Sequence, residues 1–260
     1  MEAWKENQDL AAFRQLMAEQ GRGQQAAELD RLLQQMDAME RQLRAVSQEL
    51  RAVKEQLALP GPTKAEQRFV AGLVQKLEGR LDSLRERMDT LRTHMADWAK
   101  NTLEQFKQAG VSALDKALSA LKVKGGLEQI HTGIQGCMEA LRVGIHRVEQ
   151  MGEELRQAGA HLHSAGRAAA GKGPAQRLDT TQEGRFQSGL LAPMRTAVCG
   201  LSRMNNAALA AIGTVEQLEQ AAQAARKPSI REALAEKKAE VAARPGPEPT
   251  QARKPQEAAL

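Results

Sequence analysis

Aromatic residues are nearly absent from the sequence. Of its 260 residues, four are Phe, two are Trp and none is Tyr. Strands and globular cores usually draw on aromatic and β-branched side chains. The apolar residues here are mostly Ala, Leu, Met and Val, set among many Gln, Glu, Arg and Lys residues. That is the composition of long helices and coiled coils, so the sequence predicts an all-α fold without a sheet of any size.

Cysteine and long apolar runs are scarce as well. Cys137 and Cys199 are the two cysteines, and neither sits in a CxxC motif or a Cys/His cluster. We therefore expect both to pack as small apolar residues in a reducing compartment. No run of 18 apolar residues exists, and "MEAWKENQDLAAF" lacks the apolar core of a signal peptide. A protein of the cytoplasm without a membrane span is the expectation.

The charge is only mildly unbalanced, with a formal net charge of +5. Basic residues alternate with acidic ones along most of the chain, as on the solvated faces of helices. A small positive excess is compatible with nucleic acid or anionic lipid. It is also common in helical proteins that bind neither, and the interleaved charges favour that interpretation.

Two segments of the first half carry heptad repeats. Apolar residues spaced three and four apart run through 29–57 and again through 70–98, which indicates coiled-coil helices. "LPGP" at 59–62 separates them, because proline and the residue before it disfavour helix. The two helices could fold back as an antiparallel hairpin, or each could pair with another copy of the chain.

The second half carries a different kind of seam. Gly152, Gly159 and Gly166 recur at one heptad position of a long helical segment. A glycine inside a soluble helix costs about 1 kcal/mol relative to alanine, so three in register suggest the close approach of another helix. The predicted partner is a later helix whose seam contains small residues: Ala197, Ala208 and Ala211. This packing predicts that Gly159→Leu lowers the melting temperature.

The sequence is therefore divided into three predicted domains. Residues 1–121 would form the heptad hairpin with a short helix on either side, and residues 127–225 the glycine–alanine hairpin. Residues 226–260 would form a short basic helix and a disordered tail, because the end of the chain is rich in Pro and charge. The predicted architecture is thus a bundle of long antiparallel helical hairpins with shorter flanking helices.

One stretch, "GRAAAGKG" at 166–173, has the glycine and lysine spacing of a phosphate-binding loop. Such a loop needs a preceding strand, and a Ser or Thr after the lysine at the start of a helix. Here a helix precedes the stretch, and Lys172 is followed by Gly173 and Pro174. We therefore predict no nucleotide site.

Metal and catalytic sites are not predicted either. His161 and His163 are two residues apart, so on a helix they point about 200° apart and cannot share an ion. No Ser/His/Asp or Cys/His constellation is apparent in the sequence. The expectation is a protein without catalytic residues, metal or cofactor.

Basic residues cluster after the last heptad segment. They could neutralise phosphates, although acidic residues interrupt them and no aromatic side chain is present for base stacking. The candidate nucleic-acid contacts are Arg226, Lys227, Arg231, Lys237 and Lys238.

Several stretches together resemble a known group of proteins. They include "ELRQAGAHLHSAGRAAAGK", "GLLAPMRTAV" and "RKPSIREALAEKK". They resemble an uncharacterised family of helical proteins from bacterial conjugative or other mobile elements. The resemblance extends to about residue 240 and implies an accessory, non-catalytic, cytoplasmic protein, without functional residues to carry over. The predicted function is a scaffolding protein that acts through coiled-coil association with itself or a protein partner. The alternative is an accessory DNA-binding protein that uses the basic segment.

Overall fold

The fold is described from a computed structural model of the chain. The structure describes residues 4–59, 64–110, 113, 114, 117, 121–171, 185–225 and 238. Residues Met1–Gln223 form one compact unit, and Ala224–Leu260 form a second. Of the second unit only residues 224, 225 and 238 are described, so the predicted disordered tail lies outside the described residues.

The described residues are helical and contain no strand, which confirms the all-α prediction. The longer stretches of described residues form a short 3-10 turn followed by five α-helices. Their bounds are Trp4–Glu6 for the turn, then α1 Gln8–Glu19, α2 Gly23–Ala58, α3 Lys64–Ala109, α4 Lys124–Ala169 and α5 Arg185–Ala225.

Helices α2 and α3 form an antiparallel hairpin within the chain. Lys54 Nζ contacts the Glu78 carboxylate at 2.7 Å, and Arg92 Nη2 contacts Glu40 at 2.7 Å. Residue numbers fall along α2 as they rise along α3 from one contact to the other, so the two helices are antiparallel. The apolar heptad residues of both helices are buried between 29 and 53 and between 70 and 95. The heptads therefore pair with each other inside one chain.

Helix α4 runs antiparallel to α3. Arg80 Nη1 donates to the Gly136 carbonyl at 2.5 Å, and Arg87 Nη1 donates to the Gln129 carbonyl at 3.0 Å. Two arginines one heptad apart on α3 thus donate hydrogen bonds to two carbonyls one heptad apart on α4.

Helix α5 closes the bundle by running antiparallel to both α4 and α2. Toward α4 it makes two ion pairs, and toward α2 a hydroxyl of α5 donates to an amide oxygen. These contacts are Arg195–Glu149 at 2.8 Å, Lys124–Glu216 at 2.6 Å and Thr214–Gln35 at 3.2 Å. Helices α2 to α5 therefore form an up-and-down four-helix bundle around one shared core.

The predicted boundary between residues 1–121 and 127–225 is not a domain boundary in the structure. Both predicted hairpins contribute to one buried apolar cluster and lie in one compact unit. The physical reason is that each hairpin buries only part of its apolar surface by itself, and the two remaining faces cover each other.

The N-terminal segment packs across one end of the bundle. The Asn7 side chain caps α1 by accepting from two backbone amides at 3.1 Å. The Phe13 ring meets the Trp98 ring edge-on at 4.7 Å between centroids, and the Arg92 guanidinium lies 5.0 Å from the centre of the Trp4 ring. Two of the few aromatic residues thus anchor the N-terminal segment to the C-terminal part of α3.

Candidate interaction surface on α4

The closest glycine contacts of α4 lie inside the bundle. A Cβ added at Gly133 would come within 2.6 Å of Leu84 Cδ2, and one at Gly144 would overlap Leu73 and lie 3.3 Å from Met194 Cε. Neither glycine was predicted from the sequence to lie at a close helix contact. The available signal was their position earlier in the same helix, with Gly133 seven residues after Gly126.

Gly152 marks the level at which α5 begins beside α4. A Cβ at Gly152 would overlap the side-chain amide of Gln187, which is buried in the first turn of α5. The Gln187 Nε2 donates to the carbonyls of Val148 and Glu149 at 3.3 Å each, and its Oε1 accepts from Arg156 Nη1 at 2.5 Å. The space left by glycine therefore admits a polar clamp between the two helices.

Gly159 and Gly166 do not make the predicted close contact. Both are exposed, and a Cβ at either would meet nothing within 4 Å. The described part of α5 begins at Arg185, and Gln187 in its first turn lies beside Gly152, so the described residues of α5 do not flank the last turns of α4. The close approach that would make Gly159→Leu destabilising is therefore absent at this position.

The alanines of the predicted seam lie in the bundle. Ala197, Ala208 and Ala211 are fully buried. The ion pairs between α4 and α5 place Ala197 near the level of Gly144 and Ala208 near that of Gly133. The small residues of α5 thus lie beside the earlier glycines of α4, rather than beside Gly159 and Gly166.

Beyond Gly152, α4 continues as an extension, which we define as residues 153–169. At 1.5 Å per residue it is about 25 Å long. The apolar spacing of the core continues into it, but Leu155 is 45% exposed and Leu162 is 75% exposed. Leu155, Gly159, Leu162 and Gly166 therefore form one surface stripe of alternating large and small residues. Such a stripe suits packing against another helix.

The end of the extension coincides with the stretch that has phosphate-loop spacing. Gly166 lies in the last turns of α4, and the Ala170 amide donates to its carbonyl at 3.1 Å. Gly171 follows with φ of +67°, the left-handed conformation that commonly ends a helix. Residues 166–171 are thus a helix terminus, and Lys172 and Gly173 lie outside the described residues.

The histidines of the extension do not form a metal site with other ligands in the described part of the chain. His161 and His163 are exposed on the extension, and no group of three His, Cys, Asp or Glu residues there could hold a metal ion. Burial raises the pKa of the Cys137 thiol. Cys199 is exposed, so the prediction that both cysteines are packed is wrong for the second.

The basic segment is largely outside the described residues. Arg226, Lys227, Arg231 and Lys237 fall there, whereas Lys238 is helical and exposed. Within the described ranges, none of the helices is long and apolar enough to cross a membrane.

Comparison with known proteins gives one finding of similarity. The model of a family of unknown function, DUF6674, matches residues 6–258. No curated protein and no solved structure matches the chain.

Proposed function

The chain belongs to DUF6674, a family of unknown function, and since the family supplies no activity, we propose a function from the surface of the bundle. The protein is a non-enzymatic helical scaffold that presents the α4 extension to a protein partner. The observation that carries the proposal is the exposure of Leu155 and Leu162 on a seam whose earlier residues are buried.

Closure of the bundle supports this choice of surface. Heptad residues of α2 and α3 are buried against each other and against α4 and α5. They are therefore already occupied and do not offer a partner an apolar stripe. Among the described residues, the extension is where two large exposed apolar side chains, Leu155 and Leu162, share one helical face.

The cellular setting is part of the same proposal. The resemblance to helical proteins of bacterial mobile elements supports an accessory role in the cytoplasm, where the protein assembles with other components without chemistry of its own. A helix about 25 Å long, held at one end by a rigid bundle, suits this role because it is already ordered before a partner binds.

Site-specific photocrosslinking in cells tests the proposal. A photoreactive residue at position 162 is expected to give protein adducts, whereas one at position 209 serves as the control. Leu209 is 49% exposed on α5, so it matches the chemistry of the extension without belonging to it. Adduct yield at 162 no greater than at 209 would reject the extension as the working surface.

The second candidate is binding of duplex DNA through residues 226–238. It is favoured by the exposed helical position of Lys238 and by the basic residues around it. The expected observation is DNA affinity that falls steeply as salt rises. Affinity unchanged after removal of residues 226–260 would contradict this role of the basic segment.

A further inference from the structure

The stripe on the α4 extension is complementary to itself. Its order is Leu155, Gly159, Leu162 and Gly166, with a large residue before each small one. We infer that the extension pairs with the extension of a second copy of this chain, antiparallel about a two-fold axis. The inference rests on the proposed function and names the partner that the extension takes.

Antiparallel pairing places every leucine opposite a glycine. The register that sets Leu155 opposite Gly166 of the second copy also sets Leu162 opposite Gly159. Each leucine then fills the space left by a missing side chain, as a knob enters a hole. A parallel pair would set leucine against leucine and glycine against glycine, which leaves both crowding and gaps. A two-fold axis satisfies both copies at once.

The residues beside the stripe also favour a close helix pair. Ala158 and Ala165 flank the two glycines and are exposed. Small residues at two adjacent heptad positions let helix backbones approach closely. The extension needs no new packing pattern, because the stripe continues the spacing by which Leu141, Val148 and Gly152 face the core of the bundle.

Glycines by themselves would not justify this inference. Gly72 and Gly79 on α3 are also one heptad apart, exposed and without a neighbour within 4 Å of an added Cβ. Helix α3, however, has no exposed large apolar side chain to place in the glycine of a second copy. Helix α5 has one such pair, the exposed Leu209 and Gly213 four residues later. Among the described residues, the extension is where two exposed leucines alternate with two such glycines along one face.

The first test is the solution mass of the full chain by light scattering after gel filtration. The wild-type protein is expected to move from the mass of one chain toward twice that mass as concentration rises. Leu162→Glu is expected to stay at the mass of one chain, because a carboxylate cannot be buried against glycine without a partner. The matched control, Leu209→Glu, is expected to behave like the wild type.

A single-chain mass for the wild type at every concentration overturns the inference. So does a dimer that Leu162→Glu leaves intact, since another face must then hold the copies together. Neither outcome removes the proposed function, because crosslinks from residue 162 to a different protein would still support it. If position 162 gives no more adducts than position 209 and the wild type also keeps the mass of one chain, both the proposed function and the pairing are rejected.

Gly159→Leu gives a test that does not depend on damaging the fold. In the single chain its side chain enters open space, so the melting temperature of dilute protein is expected to rise slightly. In the pair it occupies the place of the opposing Leu162, so the dimer is expected to be lost. A variant that is more stable and still dimeric would contradict the antiparallel register.

Distances between identical spin labels test the orientation. His161→Cys and Glu154→Cys occupy the same heptad position and are exposed; each is made with Cys199→Ser. The antiparallel register offsets labels at 161 by about 1.5 Å along the axis and labels at 154 by about 20 Å. The measured distance must therefore be much longer at 154 than at 161. Equal distances at both sites would indicate a parallel pair and overturn the inference.

Discussion

The two parts of helix α4 carry the same repeat but have different surroundings. In the bundle part, residues 124–152, missing side chains at Gly133 and Gly144 make room for Leu84 and Leu73 of α3. In the extension, the glycines meet nothing and the leucines are exposed. The repeat thus identifies the face of a helix that packs. How far along the helix this face is covered depends on where neighbouring helices begin and end.

Polar contacts follow the same division. In the bundle part, Arg80 and Arg87 of α3 donate to backbone carbonyls of α4, and Gln187 of α5 clamps the level of Gly152. These donors fix the register of α4 against two neighbours. The effects of substitutions on stability should therefore differ in size, and even in sign, between the two parts of α4.

Truncation of a leucine should show the largest contrast. Leu141 is 1% exposed, so Leu141→Ala is expected to lower the free energy of unfolding by about 2–5 kcal/mol. Leu162→Ala, at an exposed position, is expected to change it by no more than about 0.5 kcal/mol. Urea denaturation of dilute protein measures both. Equal losses at the two sites would mean that the extension is packed as tightly as the bundle.

Filling a glycine inside the bundle should have the next largest effect. Gly144→Leu must displace Leu73 and crowd Met194, and overpacking of this kind costs about 1–3 kcal/mol. The expected result is a lower melting temperature, as measured by circular dichroism. The matched control is Gly72→Leu, where an added Cβ meets nothing within 4 Å. Equal melting temperatures for the two variants would mean that α3 and α4 are not in close contact at Gly144.

Loss of the clamp at the boundary should be smaller. Gln187→Ala removes two donations to α4 carbonyls and the acceptor of Arg156, and a net hydrogen-bond contribution is about 1 kcal/mol. A double-mutant cycle with Arg156→Ala, measured by urea denaturation, is expected to show coupling between the two sites. Additive losses would show that the Arg156 contact contributes nothing to stability.

The smallest effect should have the opposite sign. Gly159→Ala adds a methyl group in open space and is expected to raise the free energy of unfolding by about 0.5–1 kcal/mol, the difference in helix propensity. Denaturation of dilute protein, in which the copies are separate, measures it. A loss of stability would restore the close packing predicted from the glycine repeat.

Much of the fold could be predicted because helices are local structures. The spacing from Leu29 to Val53 and from Val70 to Met95 correctly identified the faces that are buried in α2 and α3. The break predicted from "LPGP" falls between the end of α2 at Ala58 and the start of α3 at Lys64. The repeat could not show that they pair inside one chain, since a heptad seam accepts a helix from the same chain or from another.

The candidate surface was predicted only in part. The repeat of Gly152, Gly159 and Gly166 identified the face of α4 that is buried up to Gly152. It did not show that the same face is exposed at Gly159 and Gly166. Gly133 and Gly144, where α3 packs most closely, were missed because neither lies a multiple of seven residues from Gly152. Glycine spacing alone does not reveal which neighbour fills the space.

The sequence by itself determined the helices, their apolar faces and the absence of sheet-forming composition, because these depend on residues within a few turns of one another. The tertiary structure alone decided that four helices close into one core. It also decided that Gln187 of α5 contacts α4 at the level of Gly152, and that the next 17 residues of α4 extend beyond this contact. The physical reason is that burial depends on the relative lengths and registers of helices far apart in the chain. No local repeat specifies these.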